Sequence, residues 1–290
     1  MILSRLGWTV WALVPVALVT YHFGPGQQLW NEDKAARIVT RAEREQDSAA
    51  ALQETAYQAH LRAIAARMAA AGTSDPALNA AVRDAEQEEE RTASAAKTAW
   101  AATAETIQAA KELVGDGDPA LRDRLRLAHA RASVRAGQIE AGTLELEDLL
   151  ETAETPQTQG SPLVLAARNE LATAYYYGAR LMRMAGKPTA EWRELSGLAR
   201  QNYRYLSERA RATGGDPQSA IDLERNGELV LNLEQSSIEQ LLMRPRPKDC
   251  PGGNCNSGLP GKQKKKGKGK RPGDQPRNGA GMNGEIGDGW

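Results

Sequence analysis

The chain has 290 residues with 37 Lys+Arg against 37 Asp+Glu, and this zero net charge argues against a dedicated nucleic-acid binder, whose domain would be strongly basic. The balance conceals a segregation: residues 244–290 hold 11 basic and 4 acidic side chains (+7), leaving 26 against 33 (−7) for residues 1–243. Alanine supplies 48 residues and phenylalanine one, a composition too poor in β-branched and aromatic side chains for a large sheet but suited to helices, and two Cys exclude a disulfide framework.

Residues 6–23 (LGWTVWALVPVALVTYHF) carry no Asp, Glu, Lys or Arg. As a helix they would span roughly 27 Å, near the thickness of a hydrocarbon core. Trp8 and Tyr21 sit near its two ends, where amphipathic rings prefer the interface, and Pro15 is tolerated within a membrane helix. No small-x-small cleavage site follows, so the segment predicts an uncleaved signal anchor over 1–30 rather than a signal peptide. Arg5 precedes the span, whereas Lys34, Arg37, Arg41 and Arg44 begin well beyond it and are mixed with acids. The expected topology is N-inside, C-outside, a single-pass inner-membrane protein with most of the chain extracytoplasmic; the reverse orientation is the alternative.

Beyond the span one device recurs. Asp75-Pro76, Asp118-Pro119, Ser161-Pro162 and Asp216-Pro217 each place a capping side chain before a Pro at the first helical position. Gly72, Gly115, Gly137, Gly186 and Gly214 stand where helices should stop. Together they predict an all-α chain with helices over about 31–71, 76–114, 119–136, 138–152, 162–185, 188–213 and 217–243. The first two should form a long antiparallel Ala-rich hairpin over 31–115, coiled-coil-like and open to self-association. Its seams would be Ile38, Ala42, Ala49, Leu52, Ala56, Ala59 and Ala63 against Leu78, Val82, Ala85, Thr92, Ala96, Ala99 and Thr103, broken by Glu45 and Glu89. The acidic run 86–90 is either a solvated face or a docking site for basic residues.

Residues 116–243 form the next unit. Within 125–150, a helix, a Gly turn and a second helix carry Ala130, Gly137, Gly142, Leu146 and Leu149 in the order of the small and apolar slots of a tetratricopeptide repeat, and the stretch resembles one such unit, with Arg126 and Ser133 where the family often has aromatics. A second pair over 162–213 is similar, with Ala166, Ala172, Ala174, Gly186 and Leu198, and 217–243 could cap the stack. The resemblance implies a surface that binds peptides or partner proteins. The arrangement is also similar, by analogy, to repeat-containing membrane subunits of bacterial envelope complexes encoded beside von Willebrand-type domain proteins.

Aromatics concentrate between 175 and 205. Tyr175, Tyr176, Tyr177, Trp192, Tyr203 and Tyr205 interleave with Arg168, Arg180, Arg183, Arg193, Arg200 and Arg204. Three consecutive Tyr on a helix cover about 200° and cannot all face one core. Tyr175, Tyr176, Arg180, Trp192 and Tyr203 are therefore the candidate protein-binding residues, with plain helix-pair packing as the alternative.

Catalytic signatures are missing. His60 and His129 stand alone on predicted helices, and no H-E-x-x-H, G-x-x-x-x-G-K-[ST], G-x-G-x-x-G or G-x-S-x-G occurs in context. No enzyme, metal or cofactor is expected.

Residues 244–290 hold 12 Gly and 6 Pro and too little apolar surface to order a fold, which predicts a disordered tail. Cys250 and Cys255 could close a small disulfide loop or stay free. Lys262, Lys264, Lys265, Lys266, Lys268, Lys270 and Arg271 form a polyanion-binding candidate, for anionic lipid or an envelope polymer outside the inner membrane, or for nucleic acid or the inner leaflet in the reversed orientation. The sequence thus points to a non-enzymatic, membrane-anchored helical scaffold for protein partners; the alternatives are a reversed anchor with a cytoplasmic nucleic-acid- or lipid-binding tail, and an enzyme with no recognisable motif.

Overall fold

Asp118 and Ser161 each accept a backbone N–H three residues on, from Leu121 (3.0 Å) and Val164 (3.3 Å), and Asp75 accepts from Ala77 (2.8 Å). The Pro that follows each cap starts a helix. The computed structural model describes residues 14, 15, 19, 25–114, 118–214 and 217–242. Among them are eight α-helices and no strand: α1 Pro25–Ala70, α2 Pro76–Val114, α3 Pro119–Arg135, α4 Ile139–Ala153, α5 Pro162–Met184, α6 Thr189–Ala212, α7 Pro217–Gln235 and α8 Ile238–Leu242. No helix among the described residues is long and apolar enough to cross a membrane; the predicted span at 6–23, apart from 14, 15 and 19, and the tail from 243 onward lie outside them.

Each helix from α1 to α7 packs on its neighbours in the chain, and α3 also touches α5. Short Gly turns impose this order. Gly137 stands at φ +87°, and the amides of Gly137 and Gln138 return to the Val134 and Ser133 carbonyls, ending α3 and reversing the chain. Gly142 then lets α4 approach α3 closely: a Cβ there would lie 2.5 Å from Val134 Cγ2 and 2.8 Å from the Ala130 carbonyl oxygen.

Two apolar clusters share α3. Leu125, Ala128, Ala132 and Ala136 face Trp100, Ala104 and Ile107 of α2 and Ala42 and Ala49 of α1. Leu127, Ala130 and Val134 face α4, α5 and the helices beyond, a core that includes Leu146, Leu149, Val164, Tyr176, Tyr203, Val230 and Leu233. The hairpin and the shorter helices are therefore joined through α3, which is buried on both sides.

Three expectations change. Helix α1 begins at Pro25, six residues before the predicted start, because Pro at a first helical position has no N–H to leave unpaired. Its buried seam is Ala35, Ala42, Ala49, Ala56 and Ala63, a strict seven-residue repeat joined by Tyr57, Ala59, His60 and Ile64, while Leu52 points outward. On α2, Thr92, Ala96 and Thr103 are buried as expected, with Trp100, Ile107 and Ala110 added, whereas Leu78, Val82, Ala85 and Ala99 are only partly covered. The last helix divides at Ser236. Ser237 Oγ accepts the Gln240 amide (3.2 Å) and Gln240 Oε1 accepts the Ser237 amide (2.8 Å), a reciprocal cap that restarts the chain as α8.

Candidate functional site

Three helices each contribute one stripe to a shared cleft. From α4 come Glu147 and Leu150, with Glu154 at its C-cap; from α5 Arg168, Leu171 and Tyr175; from α6 Leu198, Gln201, Asn202 and Tyr205. Each set follows the i, i+3 or i+4, i+7 spacing that aligns side chains on one helix face. The opening has a volume of about 450 Å³, with Leu150, Leu171 and Leu198 as its apolar part.

Arg168 organises the polar wall. Its Nη2 donates to both Glu154 carboxylate oxygens (2.7 and 2.6 Å), its Nη1 donates to Asn202 Oδ1 (3.1 Å), and its guanidinium lies 4.8 Å over the Tyr205 ring. One side chain thus fixes α4, α5 and α6 relative to one another. On the opposite wall the Tyr175 hydroxyl donates to Glu147 Oε1 (2.6 Å). Burial, then the carboxylate, pushes the Tyr175 phenol well above its ordinary value, so it keeps the proton that it donates to Glu147. Glu147 has no basic partner within ion-pair distance among the described residues.

The segment that carries α4 is acidic, and two of its acids, Glu147 and Glu154, line the cleft. From 136 to 167 the chain has no Lys or Arg, yet it carries Glu140, Glu145, Glu147, Asp148, Glu151 and Glu154. Glu145 accepts from Lys111 and pairs with His129 Nδ1 (2.5 Å each); burial raises its pKa, but these two contacts outweigh burial and lower it. Asp148 pairs with Arg126 and Glu154 with Arg168. Glu140, Glu147 and Glu151 are left without a basic partner among the described residues.

The predicted binding residues occupy mixed positions. Tyr175 forms part of the cleft. Tyr176 and Tyr203 are in the core at 2% and 0% exposure, and the Tyr203 hydroxyl shares a 3.0 Å hydrogen bond with Thr173. Trp192 is buried, with the Arg183 and Arg193 guanidiniums 4.9 Å and 5.5 Å from the centre of its ring. Arg180 donates to the Leu241 carbonyl (3.1 Å) and Arg183 to that of Ser236, so both hold the α7–α8 end. The interface reading of Tyr176, Trp192 and Tyr203 is corrected to helix packing: all three are buried in the core cluster that α3 to α7 share. Cys250, Cys255 and the basic run at 262–271 lie outside the described residues.

The isolated histidines are not isolated. His60 is buried, and its Nδ1 lies 2.6 Å from Glu89 Oε1; Arg67 donates to Glu89 (3.0 Å) and to Glu86 (2.9 Å). Within the acidic run Glu86 and Glu89 are docked by α1, while Glu88 pairs with Arg91 of its own helix and Glu90 faces solvent. One interruption of the Ala seam, Glu89, is a polar contact between the helices, with His60; the other, Glu45, accepts from Arg41 of its own helix (2.7 Å). The sequence reading misses Glu147, Glu154, Gln201 and Asn202. The basic-free stretch 136–167 is a signal for Glu147 and Glu154; no local signal marks Gln201 and Asn202. No group of three or more His, Cys, Asp or Glu among the described residues is placed to hold a metal ion.

Compared with protein-family models, curated proteins and solved structures, the chain finds no match.

Proposed function

We propose that the chain is a membrane-tethered helical scaffold that binds a protein partner through the cleft between α4, α5 and α6. The observation that carries this reading is the cleft itself. It combines an apolar patch from three helices with polar groups that Arg168 holds rigid, at about 450 Å³, a size typical of ligand-binding clefts. A pre-formed, locked wall lowers the ordering cost of binding. Close packing of α3 on α4 at Gly142 supports a tetratricopeptide-like unit as the framework, and the apolar, charge-free segment 6–23 supports a single-pass inner-membrane anchor with the helices on the outer side. The polybasic tail adds a salt-sensitive contact with an anion.

The test uses exposed positions, so that folding is untouched. Gln201→Trp should fill the cleft and abolish co-purification of the partner from detergent-solubilised membranes, whereas Gln138→Trp, at the α3–α4 turn, should leave it intact. Equal recovery by both variants would remove the cleft from consideration. Deleting residues 1–24 should release the chain from the membrane fraction.

A further inference from the structure

The charge segregation leaves one half without an address. On the hairpin, Glu86 and Glu89 are already occupied by Arg67 and His60, and Glu88 by Arg91. On α4, Glu147 sits in the cleft with no basic partner among the described residues, and Glu151 lies one turn further along the same helix face. Beside Glu147 is the apolar patch of Leu150, Leu171 and Leu198. An acidic group at the edge of an apolar trough complements a lysine, whose alkyl stem covers apolar surface while its ammonium stays at the carboxylate. The chain holds such a segment: 262–271 reads KQKKKGKGKR, with two Gly and no Pro or bulky apolar residue to exclude it from a narrow cleft.

The reach is sufficient. Leu241 is bonded to Arg180 of α5, and Leu171 of the cleft is nine residues back along that helix, about 14 Å. Residues 243–261 can extend over about 60 Å. Tethering of this kind presents the basic segment at about millimolar effective concentration.

We propose that residues 262–271 of this chain dock in its own α4–α5–α6 cleft, a lysine stem lying on Leu150, Leu171 and Leu198 and its ammonium meeting Glu147. This rests on the reading of the cleft as a binding groove. A partner entering the cleft then displaces the tail, and the tail sets a threshold for binding.

Zero-length carbodiimide coupling of the purified full chain in detergent, with the linked peptides identified by mass spectrometry, tests the proposal. The expected result is isopeptide links from Glu147 and Glu151 to lysines of 262–270. They should fall about tenfold between about 0.05 M and about 0.5 M NaCl, and should be lost in Gln201→Trp, which keeps every carboxylate and every lysine. In a mixture of 14N- and 15N-labelled chains, links should join like-labelled peptides. Links absent, spread evenly to Glu90 and Glu105, or unchanged by Gln201→Trp would overturn the proposal, and links between unlike-labelled chains would overturn the intramolecular assignment. Loss of partner capture in Gln201→Trp without any tail coupling would keep the groove and remove the tail as its occupant.

Discussion

Arg131 of α3 and Glu170 of α5 share a 2.7 Å Nε–Oε1 hydrogen bond with both side chains almost wholly removed from water. Arg135, one turn on, takes the second carboxylate oxygen at 2.7 Å and lies 5.4 Å over the Trp100 ring of α2. Two helices thus meet at one carboxylate, and Arg135 carries the contact on to α2. Removing it leaves two buried guanidiniums without their acid, which costs far more than the pair contributes relative to an apolar substitute. Glu170→Ala should destabilise the chain by about 3–5 kcal/mol in urea unfolding. A loss below about 1 kcal/mol would show that water enters and compensates.

The same carboxylate sets an acid limit. Burial opposes its ionisation, but the charges of Arg131 and Arg135 outweigh burial and hold its pKa at about 2, against an ordinary 4.5. A depressed folded-state pKa gives stability that is fully present above the unfolded value and is lost as pH falls through the folded one. Stability should therefore decline between about pH 4.5 and about pH 2, by an amount on the order of 3 kcal/mol from this group. Glu170→Gln should flatten that part of the profile when unfolding is followed by circular dichroism.

Two glycines on helices should respond in opposite directions. At Gly142 an added Cβ meets Val134 and the Ala130 carbonyl, so Gly142→Ala must push α4 from α3 and should cost about 1–3 kcal/mol. Gly197 lies in α6, and a Cβ added there would have nothing within 4 Å, so Gly197→Ala should stabilise by about 0.5–1 kcal/mol. Urea midpoints of the two variants check both signs.

The hairpin should loosen without the rest. Glu89→Ala deprives buried His60 and the partly buried Arg67 of their shared acid, at a cost of about 1–3 kcal/mol. Among the described residues α1 packs chiefly on α2, so amide exchange should rise around residues 55–92 and stay unchanged in α4 and α5. A uniform rise would mean that the whole chain unfolds as one unit.

Tyr176 and Arg180 both read in the sequence as interface anchors, and the structure separates them. Tyr176→Ala should open a core cavity and cost about 3–5 kcal/mol, so its effect on binding would report folding. Arg180→Ala should fray α8, seen as faster proteolysis after Gln235, with the core intact.

Helix boundaries are readable because their signals are local: a cap and a Pro at one end, a Gly at the other. Ser237 and Gln240 are a local signal as well, but no Pro follows that cap to set it apart from the run 217–243. The cleft is not readable. Glu147, Arg168 and Asn202 are each an ordinary polar residue on a helix, and only the packing of α4, α5 and α6 brings them together. The Tyr run misleads for a related reason: the packing of α5 within the shared core, which its own sequence does not show, turns Tyr176 inward.

The most direct test of the central claim is in-cell photocrosslinking from Gln201 of the full-length chain. A cleft that binds a partner predicts a discrete adduct with another protein, formed from Gln201, absent from Gln138, and increased when residues 243–290 are removed. No adduct from Gln201 in either chain, or the same adducts from both positions, would contradict it.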